Sequence, residues 1–432
     1  MGDALNFKCP CCKAPLKFSG ASGDMSCEFC GSSFTMDQVK AAEEAEKEDA
    51  ASSDMTWSSG GQSLITDEDG KVKGYKCPSC GAEMVADENT AATECPYCGN
   101  PAIIQQSFEG IYRPDLMIPF AVDKNAAKEK LLEFTKGKKL LPKSFTDKNR
   151  VEDITGLYVP FWLYSCHAKG SVSFDAEKKK EWDEGNFHYE KKDFYHLVRR
   201  GEMDFEKIPV DASTQMDDAT MDSLEPYDLS KAVLYDAAYF SGYLANRYDV
   251  SEKDAQPRAN ERVTNTFVDK MRSEVEGYFS VQKKAESIVL SDAKAEYAML
   301  PVWMMTTKYE GESYTFGING QTGKMVGSLP VDKKRYYLFL GLGALVSMAV
   351  INLLVFFFGK IGISAKAEII SLVISLLIGL IYASALKSSM KNIVLKSRAA
   401  QYIKDSSLKI GPKVDRFLYS KTEKKEKAGG KA

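Results

Sequence analysis

The sequence predicts an α+β multidomain chain: two small β modules at the N-terminus, an α+β cytosolic region with an internal duplication, and a C-terminal pair of membrane-spanning helices. Three observations predict it. Four Cys-x-x-Cys pairs open the chain, strand-like and helix-like patterns follow from residue 107 to 330, and two uncharged apolar runs come after them.

The cysteine pairs form two sets with one spacing. Cys9 and Cys12 precede Cys27 and Cys30, and Cys77 and Cys80 precede Cys95 and Cys98, each cysteine of the second set lying 68 residues after its counterpart. The gap between pairs is 14 residues both times. Four thiolates so spaced match a tetrahedral, all-cysteine zinc site, so the modules read as zinc ribbons over residues 1–40 and 71–106. Pro78 and Pro96 inside the knuckles, with Gly81 and Gly99 after them, favour the tight turns that aim backbone amides at sulfur. Such modules bury little core, so metal binding supplies on the order of 10 kcal/mol of their folding free energy. A site closed by four cysteines has no open coordination position, which makes these two ions structural. Cys11 is either a spare thiol or a competing ligand. A disulfide framework fits poorly, because Cys-x-x-Cys pairs in a chain that reads as lacking a secretory signal point to metal.

Charge argues against nucleic acid. The second module and its approach carry Asp67, Glu68, Asp69, Glu83, Asp87, Glu88 and Glu94 against Lys71, Lys73 and Lys76, a surface that repels phosphate. The first is nearer neutral. Protein binding is therefore the expectation for both. Residues 41–70, acidic and then Ser/Gly-rich, read as a linker, and Trp57 within it is expected to dock internally.

Residues 336–358 and 369–386 are the apolar runs, long enough to span a hydrocarbon core of roughly 30 Å as helices. Lys333, Lys334 and Arg335 precede the first, and Lys387, Lys391, Lys396 and Arg398 follow the second, whereas the short loop between them holds Lys360, Lys366 and Glu368. The positive-inside rule puts both termini and the bulk of the chain in the cytoplasm. Residues 387–432 form a basic tail of 13 Lys and Arg against 4 Asp and Glu, in a chain whose net charge is −3. The tail's position after the hairpin predicts attraction to anionic membrane lipid, with residues 421–432 disordered.

In the central region, residues 117–122 read as a strand leading to an N-cap at Asp123 and a helix over 126–136. Strands follow at 157–164 and 170–174, and a related pattern returns at 299–305 and 313–318. The shared Pro-x-Trp (Pro160 to Trp162, Pro301 to Trp303) predicts an internal duplication. Residues 187–210 alternate as antiparallel strands with a turn near 199–202, residues 260–280 read as helix, and 319–323 (NGQTG) as a hairpin turn.

No catalytic constellation emerges. Cys166 and His167 are adjacent and would face opposite sides of a strand. His188 and His196 would share a face, but two histidines make no metal site. Asp211, Asp217, Asp218 and Asp222 read as a solvated acidic loop, and neither a Gly-rich phosphate loop nor a nucleophile elbow is present.

Several segments carry a family resemblance: the paired ribbons, IPVDAS at 208–213, MDSLEPYDL at 221–229, LPVWMM at 300–305, FGINGQTGKMVGSLP at 316–330 and FLYS at 417–420. They resemble bacterial membrane proteins carrying a TFIIB-type zinc ribbon. The resemblance implies a non-enzymatic membrane adaptor or scaffold that recruits cytosolic SPFH-domain or PspA-like envelope-stress proteins. It carries over only the eight cysteine ligands and names no catalytic residue. A membrane-tethered nucleic-acid-binding regulator is the alternative, and an enzyme built on the central region is a third reading.

Overall fold

The computed structural model describes residues 7–10, 13–20, 23–29, 32–40, 43, 53–59, 72–87, 94–100, 104–106, 112–146, 154–358, 365–411 and 413–427. Cys11, Cys12, Cys30, most of the linker and the loop between the apolar helices lie outside the described residues.

The first module is a three-stranded antiparallel sheet of β1 (Lys17–Phe18), β2 (Met25–Ser26) and β3 (Ser33–Phe34). β4 (Ser58–Ser59) belongs to the linker. The second module comprises β5 (Val72–Lys76), β6 (Glu83–Asp87) and β7 (Ile104–Gln106), with β5 pairing both others. It does not stand apart: β6 pairs with β12 (Leu244–Asn246), which adds it to the 14-stranded main sheet.

The main sheet is built on three strands far longer than the roughly 3–10 residues usual for a strand. β9 (Thr155–Glu184) and β13 (Ser280–Tyr309) have 30 residues each and run antiparallel, and β10 (Phe187–Asp211) has 25 and pairs with the other side of β9. Leu157 to Tyr164 is buried on both faces, which explains its unbroken apolar run. The pleat divides it cleanly. Tyr158, Trp162 and Tyr164 face α3 (Glu252–Ser273), whose Ala255, Ala259, Val263 and Phe267 form an i, i+4 stripe. Leu157, Val159, Phe161 and Leu163 face Tyr75, Cys77, Cys95 and Tyr97 of the second module. Each such buried side chain contributes about 1.5–3 kcal/mol.

Two strand–helix–strand units occupy the centre. β8 (Leu116–Met117) leads to α1 (Lys124–Thr135), capped by Asp123, and on to β9. β12 leads to α3, capped by Ser251, and on to β13. β8 lies parallel to β13 with Leu116 opposite Ala298, and β12 lies parallel to β9 with Leu244 opposite Leu157. Across the β9–β13 ladder Trp162 faces Tyr297 and Trp303 faces Gly156. The indole of Trp162 donates to the carbonyl of Val250 (3.0 Å), and that of Trp303 donates to the carbonyl of Val122 (2.8 Å). Each tryptophan thus holds the residue before the helix cap of the other unit.

Several sequence expectations change. Residues 157–164 and 170–174 are one strand. The turn expected at 199–202 is absent, because β10 runs straight through it and the chain reverses after Glu184 instead, with Gly185 at φ 55°. At Gly201 an added Cβ would meet Met271 Cε at 2.7 Å and the Lys409 carbonyl at 3.0 Å, so this glycine admits a close neighbour. α3 begins earlier than expected and ends before residue 280. The basic tail is not disordered over 421–426: β17 (Val414–Glu426) pairs along β10, joined by β16 (Lys409–Ile410). The turn at 319–323 forms as expected between β14 (Glu312–Asn319) and β15 (Met325–Gly327), with the Asn319 side chain accepting from the amides of Gln321 and Thr322. Trp57 docks internally, donating to Asn260 Oδ1 at 2.6 Å and packing edge-on against Tyr164.

α4 (Lys333–Phe358) and α5 (Ala365–Ser388) are long and apolar enough to cross a membrane, and large side chains such as Leu345, Phe356 and Ile381 point outward. Their seam uses small residues. Ser371, Ser375, Gly379 and Ala383 recur every fourth position on α5, and a Cβ at Gly379 would lie 2.7 Å from the Leu340 carbonyl of α4. Ser347 Oγ donates to the Ser375 carbonyl across the seam (3.3 Å). After the hairpin, residues 391–399 return as an extended strap held by side chains of the body. Ser223 Oγ accepts from Val394 N, Asp222 from Lys396 N, and Thr266 Oγ1 from Ala399 N.

Candidate metal centre

The second module brings its four cysteines to one point. Each pair sits in a knuckle with the same backbone bonds. The amide of Cys77 donates to the Ala82 carbonyl and that of Gly81 to the Cys77 carbonyl, both at 2.9 Å; Cys95 N bonds Asn100 O at 2.9 Å and Gly99 N bonds Cys95 O at 2.8 Å. Gly81 (φ 78°) and Gly99 (φ 66°) close these turns in the left-handed region, which glycine adopts without a Cβ penalty. The thiols converge: Sγ of Cys77 and Cys98 are 3.7 Å apart, those of Cys80 and Cys95 3.6 Å, and all four lie within 4.8 Å of one another. Zinc–sulfur bonds of about 2.3 Å in a tetrahedron require S···S separations of about 3.8 Å, so the residues fit one tetrahedral ion.

Electrostatics separates the thiols. Burial pushes Cys77 up, but the backbone amides of Cys80 and Ser79, with the thiols of Cys80 and Cys98, outweigh it and hold the group at about 7. Burial pushes Cys95 well above the ordinary thiol range, and Cys80 beside it adds to the rise. A bound cation reverses that second effect by holding every thiolate. The site is anchored in the body: Cys77 and Cys95 are buried in the core shared with β9, Thr306 Oγ1 donates to the carbonyls of Pro96 (2.9 Å) and Tyr97 (3.1 Å), and Arg247 pairs with Glu83 at 3.1 Å.

In the first module, Cys9 and Cys27 are buried in a small core with Leu16, Met25 and Phe34. Their backbone repeats the knuckle pattern. Cys9 N bonds Ala14 O (2.7 Å), Lys13 N bonds Cys9 O (2.9 Å), and Cys27 N bonds Ser32 O (2.8 Å). Lys13 (φ 63°) occupies the position that Gly81 and Gly99 hold in the second module. The other two expected ligands, Cys12 and Cys30, lie outside the described residues. The four-cysteine group of the second module is the one cluster of metal-ligating side chains among the described residues.

The remaining candidate residues do not assemble. His188 pairs with Asp183 (2.7 Å) on the exposed end of β10, and His196 is buried against Asp175 (3.3 Å). Eight residues of strand put them roughly 27 Å apart. His167 pairs with Asp204 at 2.6 Å, and its neighbour Cys166 points the other way, buried and pushed up to about 12. The acidic residues are not a solvated loop. Asp217 caps α2 (Asp218–Leu224), Asp222 and Asp211 are buried, and Arg258 bridges Asp218 (2.7 Å) and Asp222 (2.8 Å).

Burial, with the charge of Asp218 adding, raises the Asp211 carboxyl well above its usual range. A raised native pKa means the folded state holds the proton more tightly, so this group lowers stability as pH climbs above the unfolded value of about 3.9. Asp211→Asn is expected to gain on the order of 1–3 kcal/mol at pH 8, with no gain below about pH 4. Thermal melting at the two pH values checks this, and a variant less stable than wild type at pH 8 contradicts it.

Sequence reasoning missed a buried ion pair. Arg262 Nη1 and Nη2 each donate to Glu225 at 2.9 Å, and Tyr402 Oη (2.8 Å) and Gln401 Nε2 (3.0 Å) add to the same carboxylate. Arg262 also donates to the carbonyls of Pro209 and of Arg398 in the strap. MDSLEPYDL contains Glu225, but its partners lie 37 and 177 residues away, which local pattern cannot reveal.

Over 308 residues the chain is 30% identical to an uncharacterized protein of Bacillus subtilis, YdjG, in an alignment that covers 60% of this chain and 90% of the relative. No family model matches the chain, and no solved structure matches it.

Proposed function

This chain belongs to the family of the Bacillus subtilis protein YdjG, and we propose that it is a membrane-anchored zinc-ribbon adaptor that recruits cytosolic proteins to the membrane. The observation that carries the reading is the four-thiol centre packed into the core of a body seated on an apolar hairpin. Zinc at Cys77, Cys80, Cys95 and Cys98 is coordinatively closed and would hold a fold without offering a reaction site. A second zinc at Cys9, Cys12, Cys27 and Cys30 is supported by the repeated knuckle bonds. The Lys and Arg flanking both apolar helices support a cytoplasmic body and termini. The reciprocal tryptophan contacts and matching registers support descent of the central units from one duplicated ancestor.

Recruitment falls to the first ribbon. The second shares its core with the body, whereas the first has its own small core and keeps two aromatics, Phe18 and Phe29, exposed at 60% and 77%. Exposed aromatics on a small rigid module suit a protein partner, and the family resemblance makes an SPFH-domain or PspA-like protein the expected one. Crosslinking the tagged chain in its native membrane, then mass spectrometry, is expected to recover such a protein. Phe18→Ala/Phe29→Ala is expected to cut its recovery by about tenfold or more while metal content and membrane association stay unchanged. Unchanged recovery, or recovery of nucleic acid in place of protein, overturns the adaptor reading.

A further inference from the structure

We propose that the loop over residues 136–143 is a docking site for anionic lipid headgroups, held at the membrane surface by its contacts with the two apolar helices. The inference rests on the reading that α4 and α5 span a membrane. The loop reads KGKKLLPK, and its two chemistries separate in space. Leu140 and Leu141 are buried, with Phe145, in a cluster that includes Tyr336 and Phe339 of α4 and Leu386 of α5. Lys136, Lys139 and Lys143 remain exposed.

The depth of the loop is fixed by polar contacts to the helix ends. Lys139 Nζ donates to Tyr382 Oη at 3.2 Å and lies 5.7 Å from the Phe339 ring centre. The Arg335 guanidinium donates to the carbonyls of Lys139 (3.3 Å) and Leu141 (2.6 Å), and Lys138 Nζ donates to the Ser389 carbonyl. These partners mark the level at which the apolar runs give way to charge, where headgroups and interfacial tyrosines meet. Lys333, Lys334, Lys387 and Lys391 are exposed at the same helix ends and add to the field. Asp332, also there, is taken up by Arg335 at 3.6 Å. A cationic surface pressed against the membrane plane is reached by a ligand that resides in the membrane, which selects lipid over a soluble anion.

The basic tail was by position alone the expected lipid contact, but beyond residue 400 several of its lysines are engaged elsewhere. Lys404 pairs with Glu206, Lys409 with Glu202, Lys413 with Glu274 and Lys427 with Asp183, all on the body.

The test uses the full chain reconstituted in phosphatidylcholine vesicles containing a minority of phosphatidylglycerol. Electron spin resonance with spin-labelled lipids reads the fraction of each headgroup immobilised by the protein. Wild type is expected to prefer phosphatidylglycerol over phosphatidylcholine several-fold, with the preference falling as salt rises. Lys136→Gln/Lys143→Gln is expected to abolish most of it, whereas Lys421→Gln/Lys424→Gln/Lys425→Gln retains it. Lys138 and Lys139 are left intact because their bonds to Ser389 and Tyr382 hold the loop in place. A double loop variant with undiminished preference, or wild type with none, overturns the proposal. A chain that washes off the vesicles at alkaline pH would instead refute the membrane-spanning reading, and flotation on a density gradient separates the two failures.

Discussion

Changing Cys95 and Cys98 to serine is expected to remove the metal from the second module and to destabilise the whole body. Two of four ligands vanish, and serine hydroxyls do not replace thiolates around a soft tetrahedral ion. A structural zinc of this kind contributes on the order of 10 kcal/mol to the folding of its module. The loss does not stay local, because Cys77, Cys95, Tyr75 and Tyr97 share one core with Leu157, Val159, Phe161 and Leu163 of β9. With β6 paired to β12, the sheet itself loses an edge. Metal per chain by elemental mass spectrometry should fall by one ion, and the melting transition in detergent should drop sharply or split. A double variant that keeps its full metal complement and melts with wild type would show that these thiols hold no ion.

Arg262→Ala is expected to cost about 3–5 kcal/mol, the range for removing one partner of a buried pair and stranding the other charge. Arg262 is 1% exposed and Glu225 0%, so no water is at hand to replace the guanidinium. Tyr402 and Gln401 would still contact the carboxylate without neutralising it, and Lys396 Nζ, 3.6 Å from Oε2, would offset part of the lost charge, which places the cost at the lower end of that range. Arg262→Met/Glu225→Met, which removes both charges, is expected to lose much less. Chemical denaturation of the three proteins tests the pair, and an alanine variant within about 1 kcal/mol of wild type refutes the argument. Hydrogen exchange at Ala399 and Tyr402 should quicken in the alanine variant, since the Arg398 carbonyl loses its donor.

What sequence revealed here was local chemistry. Cysteine spacing predicted the thiol cluster because a knuckle is built within six residues. The apolar runs predicted α4 and α5 because an uninterrupted apolar stretch of that length declares a helix without reference to distant residues. Asp123 and the NGQTG segment declared a cap and a turn through bonds to their own neighbours. The misreadings share the opposite cause. Arg199-Arg200-Gly201-Glu202 looks like a turn until Met271 and Lys409 are seen packed over Gly201. Residues 421–426 have the composition of a disordered tail, yet β10 supplies a ladder for them. Asp211 and Asp222 look solvated until α3 and the strap cover them, and Asp222 meets Lys396 across 174 residues of chain.

The seat of the first module has a consequence for biosynthesis. Its small core of Cys9, Leu16, Met25, Cys27 and Phe34 is completed by Tyr419, which meets Phe34 edge-on at 5.0 Å and stacks on Phe194 at 4.6 Å. A chain leaving the ribosome releases the first of these groups early and the last near termination, with both apolar helices in between. The opening module therefore reaches its berth only after both apolar helices have been made and β17 has zipped along β10. Until then Phe34 lacks its edge-on partner, and a message truncated after the second apolar helix would yield a product whose first module lacks the residue that completes its core.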